Sequence, residues 1–169
     1  MSNPAFDNEY KLGTVEGKVR DVVLKMGENI EYRFMNWAQA NVELDKISKP
    51  TIVYILPPSG DFYIGRQEIK DYPETQIAFV CSTEFDFESD ENDALVEQMK
   101  RLCMRFINAI NESGYFVQLE GKLPYKVLYD HLDENVTGVV ITPTLEEEEE
   151  GVSICEDSDV YNPEELENE

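Results

Sequence analysis

Residues 89 to 114 read SDENDALVEQMKRLCMRFINAINESG, and this stretch decides the fold. Its apolar side chains recur at steps of three and four residues, which is the spacing of one face of an α-helix. Ser89 or Asp90 can cap the start, acids fill the first turn, and Gly114 can end the helix. The apolar stripe consists of Leu95, Val96, Met99, Leu102, Cys103, Phe106, Ile107 and Ile110. The sequence therefore predicts an amphipathic helix of about twenty-two residues.

A second, shorter helix is predicted near the start of the chain. Thr14 can serve as its N-cap and Gly27 can end it. Its apolar positions also follow the helical period and are Val15, Val19, Val22, Val23 and Met26. For residues 28–50 a strand or an irregular crossing is favoured, because Gly27 interrupts the pattern, although a helix through Ile30, Phe34 and Trp37 fits the same letters.

Strands are predicted in the remaining apolar runs. These runs are residues 51–57, 61–65, 76–87, 115–119, 124–130, 137–145 and 151–155. Short apolar runs bounded by proline, glycine, aspartate and asparagine are typical of strands joined by turns. The order of helix, strands, helix and strands favours an α+β fold, with an antiparallel β-sheet and both helices on one of its faces.

The domain organisation predicted from composition is simple. Residues 1–13 form a polar N-terminal arm, residues 14–155 form one α+β domain, and residues 156–169 form a flexible acidic tail. Within the domain, residues 137–145 and 151–155 are expected to pair as a C-terminal β-hairpin. The five glutamates from Glu146 to Glu150 would then form its tip.

The charge of the chain restricts its partners. Thirty-six acids face fourteen bases, which gives a net charge of −22, and residues 146–169 hold twelve acids and no base. Phosphate binding needs clusters of Lys and Arg, so sequence-specific or tight DNA binding is not expected. An acidic surface that DNA passes without binding, or a basic protein partner, agrees with this charge.

Cysteine usage and hydropathy indicate an intracellular, soluble protein. Cys81, Cys103 and Cys155 are far apart in the sequence, and no signal peptide is apparent, so they are predicted to be reduced, structural thiols. No apolar run approaches the roughly eighteen residues that a membrane span needs. We therefore expect no membrane partner.

Motifs that carry chemistry are missing. His131 is the only histidine, and the sequence contains no zinc, phosphate-loop or dinucleotide-binding motif. Four acids fall at positions one, three, five and twelve of a calcium loop, and they are Asp86, Glu88, Asp90 and Glu97. The required glycine is replaced by Glu91, however, and a strand end followed by a helix start explains the same residues. We therefore expect no enzyme activity, cofactor, metal or small-molecule substrate.

The order of elements resembles a family of phage proteins. The stretches that carry the resemblance are NWAQANVELDKISKPTIVYILPPSG, FDFESDENDALVEQMKRLCMRFINAI and YKVLYDHLDENVTGVVITPTL, followed by Cys155. They resemble the small α+β proteins of tailed bacteriophages that form neck and tail-completion rings, the tail terminator and head–tail connector group. The resemblance is closest to those of crAss-like and other Bacteroides-type phages. Its motifs are patterns of spacing and turns, and the long acidic tail departs from them.

This resemblance implies a virion structural protein with no catalytic role. Its copies would form a homo-oligomeric ring, sixfold or twelvefold, around the DNA channel, beside other neck, portal or tail proteins. It would assemble in the host cytoplasm and end in the neck or tail of the virion. DNA would pass nearby without specific binding.

Two segments are candidate functional sites in this setting. Because five adjacent carboxylates resist burial, residues Glu146, Glu147, Glu148, Glu149 and Glu150 are predicted to project into water. They would either line the DNA channel or form a solvated loop. In the tail, Tyr161 and Leu166 offer apolar anchors beside acids and are candidates for docking on a neighbouring protein.

Two other functions remain open at the level of sequence. An acidic adaptor or DNA-mimic protein that binds a basic partner fits the charge equally well. A small hydrolase would require a pocket that gathers His131 with carboxylates.

Overall fold

The computed structural model describes residues 14–43, 49–82, 89–131, 136–148 and 152–153. Within these ranges the elements, in chain order, are α1 (Val15–Lys25), β1 (Glu31–Met35), α2 (Trp37–Glu43), β2 (Thr51–Ile55), β3 (Gly60–Ile64), β4 (Glu68–Pro73), β5 (Gln76–Ser82), α3 (Ser89–Ser113), β6 (Tyr125–His131), β7 (Val136–Ile141) and β8 (Val152–Ser153).

The strands form two sheets. The larger sheet has the order β1-β2-β5-β7-β6, and the smaller has the order β3-β4-β8. β1 and β2 are parallel, whereas the other pairs are antiparallel. The predicted α+β class, with a long helix and a shorter N-terminal helix, is confirmed.

The two predicted helices cover one face of the larger sheet. Residues of α1 and α3 form one core cluster with alternate residues of β2, β5 and β7. Phe106 of α3 is fully buried and its ring meets Phe79 of β5 edge-on, with centroids 5.3 Å apart. The predicted N-cap is also confirmed, since the Gly17 amide donates to Thr14 Oγ1 at 3.0 Å. The apolar stripe therefore sets the position of α3 on the sheet.

The opposite face of the sheet is covered as well. A second cluster joins Met35 and Ala40 to the other residues of the central strands, which are Val53, Ile55, Ala78, Val80, Val136 and Val140. Trp37 packs against it while its Nε1 donates to Gln76 Oε1 at 3.0 Å. Because both faces are covered, the central strands are apolar at nearly every position.

Close packing between β5 and β7 depends on a glycine. A Cβ atom at Gly138 would collide with the carbonyl of Phe79 on the paired strand. Glycine is therefore required at this position in the sheet interior, because the neighbouring backbone lies so close.

Four details differ from the sequence-based expectations. The first is α2 (Trp37–Glu43), a helix within residues 28–50, where a strand or an irregular crossing was favoured. Residues 115–119 are not a strand, and they make one isolated bridge, Phe116 to Glu147. β4 was not predicted. The 137–145 and 151–155 segments do not pair with each other in the described residues, since β7 pairs with β5 and β6, whereas β8 pairs with β4. The sequence signal for strands was correct there, but the partners of the strands were not.

Candidate assembly surface

β3 and β4 form a two-stranded ribbon that carries an exposed apolar face. The register places Phe62 opposite Asp71 and Ile64 opposite Ile69, so these four side chains share one face. Phe62 and Ile64 are each 74% exposed, and Ile69 is also exposed. Large apolar side chains grouped in this way on a ribbon are typical of a surface that a partner covers.

The other face of the ribbon is polar and partly paired. Tyr63 lies opposite Lys70, and the Lys70 ammonium is 3.7 Å from Glu68 and 3.8 Å from Glu146. Ion pairs of this length at an open surface contribute about 0–1 kcal/mol. The Lys70 side chain is only 15% exposed, so part of this face is covered, whereas Phe62 and Ile64 on the apolar face are open.

The base of the ribbon is fixed to the larger sheet. At Gly60 a Cβ atom would lie 2.8 Å from the Tyr72 carbonyl, so glycine permits the two strands to start this close together. Ser59 Oγ donates to a Glu74 carboxylate at 2.6 Å, and the Glu74 amide donates to the Ser59 carbonyl at 2.9 Å. The ribbon therefore leaves the body of the protein at a defined position.

A C-terminal strap, residues 142–148, lies beside the helical layer. The Val117 amide donates to the Glu146 carbonyl at 2.7 Å, and the Glu148 amide donates to the Tyr115 carbonyl at 3.0 Å. After the strap, β8 pairs with β4 at Glu68 and Ile69. The same stretch of chain thus contacts the helical layer and then extends the ribbon.

The strap contains the first part of the predicted glutamate site, and one expectation for it is wrong. Glu147 is only 8% exposed, and its carboxylate accepts a hydrogen bond from the Lys18 ammonium at 2.9 Å. Lys18 is itself buried. A charge can be buried when a partner of opposite sign and a hydrogen bond compensate it. Glu147 is therefore an internal anchor of the strap, whereas the sequence predicted that it projects into water.

The other predicted residues divide into two groups. Glu146 is half-buried and Glu148 is exposed, which agrees with the expected contact with water for these two positions. Glu149, Glu150, Tyr161 and Leu166 lie outside the described residues.

A surface groove lies between α1 and α3. The groove between α1 and α3 has a volume of about 420 Å³. Its Asp21 carboxylate already accepts hydrogen bonds from Lys25 at 2.7 Å and from Tyr115 at 2.6 Å. Across the described ranges, no group of three or more His, Cys, Asp or Glu residues is placed to hold a metal ion. None of the helices described there is long and apolar enough to cross a membrane.

Two of the three cysteines lie in the core, as predicted. Cys81 and Cys103 are buried free thiols in the cluster beneath the helices. Burial raises the pKa of the Cys81 thiol to about 11 and that of the Cys103 thiol to about 11. A thiol with so little thiolate at neutral pH is a poor nucleophile. Cys155 is outside the described residues.

The sequence analysis predicts β3, but it does not predict the apolar face of the β3–β4 ribbon. Residues 60–73 read GDFYIGRQEIKDYP, and the alternation of apolar and polar letters continues through EIKDY on the far side of a turn. The Gly65 amide donates to the Glu68 carbonyl at 2.9 Å and closes that turn. Two alternating runs separated by a short turn are a hairpin signal, which would have predicted β4 and the apolar face together.

Comparison with known proteins gives no relative for this chain. No protein-family model, no curated protein and no solved structure matches it.

Proposed function

We propose that this protein is a virion structural subunit of a tailed bacteriophage that assembles with copies of itself into a neck or tail ring around the DNA channel. The ring would belong to the tail terminator or head–tail connector class. The observation that carries the proposal is the exposed apolar face of the ribbon, formed by Phe62, Ile64 and Ile69.

A ribbon of this kind supports an assembly role for two physical reasons. A strand at the edge of a sheet has backbone groups available for pairing with another chain, and β3 occupies an edge of its sheet. Exposed apolar side chains add a favourable hydrophobic term of about 25 cal/mol for each square ångström that a partner covers. The two features together favour binding to protein over catalysis.

The same proposal covers the glutamates that remain exposed to water. Glu146 and Glu148 are accessible on the strap, and with Glu149 and Glu150 they would present a row of negative charge. Facing the lumen of a ring, such a row repels the phosphates of DNA and lets the genome slide. Facing outward, it would keep the subunit soluble.

The acidic tail is proposed to dock on a neighbouring neck, portal or tail protein through Tyr161 and Leu166. Deleting residues 156–169 should leave the thermal unfolding midpoint of the subunit unchanged and weaken its incorporation into particles, measured by mass spectrometry of purified virions. Normal incorporation of the truncated chain would make the tail dispensable for docking.

Assembly itself is tested with a matched pair of variants. The full chain is studied by light scattering after size exclusion and by electron microscopy, alone and with its neighbouring proteins. The double variant Phe62→Ser/Ile64→Ser should lose ring formation. The control Leu24→Ser changes an exposed leucine on α1, 67% exposed, and should assemble normally.

The outcomes separate the proposal from its main alternative. Rings lost only in the ribbon variant support the proposed function. A chain that stays monomeric and never joins particles overturns it. If that monomer instead captures a basic protein in a complex that moderate salt dissociates, the acidic adaptor or DNA-mimic function takes its place.

A further inference from the structure

A second strand, β6, carries a surface that complements the ribbon. β6 is an edge strand of the larger sheet. Tyr125 and Val127 alternate along it, pointing to the same side, and both are exposed. Tyr125 is 52% exposed. β6 therefore has an apolar face and a backbone edge that pairs with no other described strand.

The charge around β6 is opposite to that of the protein as a whole. Residues 100–126 contain five bases and two acids, in a chain whose net charge is −22. The Lys100 ammonium lies 5.1 Å from the centre of the Tyr125 ring, which brings α3 and β6 together. Lys122 and Lys126, at the start of β6, are exposed. Lys126 alternates with Tyr125 and Val127 and so lies on the other side of β6. We call Tyr125 and Val127, with Lys100 and Lys122, the β6 surface.

The ribbon has the complementary composition. Residues 60–74 contain four acids and two bases, and Asp71, which shares the apolar face with Phe62, is exposed. Its apolar face and its free β3 edge match the apolar face and free edge of β6. Opposite charge at the rim steers two such surfaces together and fixes their register.

We propose that the ribbon of one copy packs along the β6 surface of the next copy, with its apolar face against Tyr125 and Val127 and Asp71 beside Lys122. This inference rests on the proposed function and adds the partner surface. Ribbon and β6 surface are different patches of one chain, so a contact made in one direction only is heterologous. Its repetition gives a closed ring or an open filament, whereas two reciprocal contacts would give a twofold dimer.

The geometry within one chain leaves both surfaces available for this contact. β3 pairs with β4 alone, and β6 pairs with β7 alone, among the described strands. The ribbon is held at its base by Gly60 and by the bond between Ser59 and Glu74. A preorganised ribbon loses little conformational entropy on binding, which favours association.

Cross-linking between two distinguishable copies tests the contact directly. One full-length chain carries Ile64→Cys, and a second, with a tag of different size, carries Val127→Cys. After mixing and mild oxidation, a disulfide-linked product of intermediate size is expected. Replacing the second chain by one with Leu24→Cys, and using chains without an introduced cysteine, gives the background from the native thiols.

Charge reversal provides the second readout, without any new cysteine. Lys122→Glu should weaken self-association about tenfold at low salt, measured by sedimentation. Adding Asp71→Lys to the partner chain should restore much of it. Lys49→Glu, an exposed lysine near β2, is the control for a change of net charge alone. Circular dichroism verifies that each variant is folded.

Each outcome decides between the two proposals. The mixed cross-link together with charge rescue supports the contact. Rings that form without the cross-link, and that tolerate Lys122→Glu, overturn the ribbon-to-β6 contact and leave the ring function standing. A chain that is monomeric under every condition, including with its neighbouring proteins, overturns both.

Discussion

β2 and β3 have similar sequences and opposite surroundings. They read TIVYI and GDFYI, both have five residues, and both end in Tyr-Ile. All five residues of β2 are buried, and all five residues of β3 are exposed. Apolar composition therefore predicts a strand in both cases, but it does not predict what covers the strand.

The difference arises from position in the sheets. β2 lies between β1 and β5, and a core cluster covers each of its faces. Among the described strands β3 has one neighbour, β4, and it lies at the end of a three-stranded sheet. An apolar strand left uncovered in one chain is a liability unless another molecule covers it. The contrast separates the part of the molecule that folds the subunit from the part we assign to assembly.

Truncating one phenylalanine in each region tests the difference between them, and the largest effect on stability is expected here. Phe106→Ala should lower the free energy of unfolding by about 3–5 kcal/mol, because it removes a fully buried ring and leaves a cavity beside Phe79. Phe62→Ala, in the ribbon, should change it by about 0.5 kcal/mol or less. Urea denaturation of both variants measures the two values.

Two results with these variants would contradict the assignment of core and ribbon. If Phe106→Ala leaves the denaturation midpoint nearly unchanged, α3 faces something other than the core. If Phe62→Ala is as destabilising as Phe106→Ala in a monomer, the ribbon is part of the fold, and its exposed face is not available for assembly.

A second comparison contrasts two adjacent glutamates of the strap. Glu147→Leu should destabilise the subunit by about 3 kcal/mol, because it leaves the buried Lys18 ammonium without its carboxylate. Glu148→Gln, at an exposed position, should change stability by about 0.5 kcal/mol or less. Thermal and urea denaturation measure the difference.

The double variant Lys18→Met/Glu147→Leu checks the cause. Removing both charges should recover most of the lost stability, since apolar pairs often replace buried ion pairs without net loss. A double variant as unstable as Glu147→Leu alone would mean that packing of the strap, and not the ion pair, is responsible.

The features that could be predicted from the sequence are those set by neighbouring residues. The stripe on α3 was predicted because helical periodicity is local and its burial follows from one face being apolar. The Thr14 cap was predicted for the same reason. Strand existence at β2, β3, β5, β6, β7 and β8 was also a local signal.

What could not be predicted depends on distant parts of the chain. The burial of Glu147 requires Lys18, 129 residues earlier, and five identical letters give no reason to single out the second. The pairing of β8 with β4 also joins segments far apart in sequence. The five glutamates are not one solvated group, because Lys18 pairs with Glu147 and buries it.

A smaller effect is expected in thiol reactivity, again comparing body and ribbon. Because burial raises the pKa of the Cys81 and Cys103 thiols to about 11, their thiolate fraction at pH 8 is about a hundredfold below that of an ordinary exposed thiol. An introduced cysteine, Ile64→Cys, should therefore be alkylated at least that much faster. Mass spectrometry of peptides resolves each site.

The pH dependence gives the control for this experiment. The raised folded-state pKa favours the folded state below about pH 9, where unfolded thiols begin to ionise, and this contribution is lost as pH rises towards 11. Native labelling of Cys81 and Cys103 should stay slow at pH 8 and become complete in denaturant. Rapid native labelling at pH 8 would show that the core around Cys81 and Cys103 opens. The core would then not be a protected region in contrast to the ribbon.

The smallest effect on the fold is expected from the exposed end of the glutamate run. Glu148→Gln, Glu149→Gln and Glu150→Gln together, with Glu147 kept, should leave stability unchanged or raise it slightly. Close like charges in water repel by about 1 kcal/mol per pair, less in salt.

If the run faces a DNA channel, the triple variant should slow DNA ejection from particles, most clearly at low salt. If it faces outward, solubility falls while infectivity is kept. Unchanged ejection and wild-type infectivity would sink the channel hypothesis and leave these glutamates as a solvated segment.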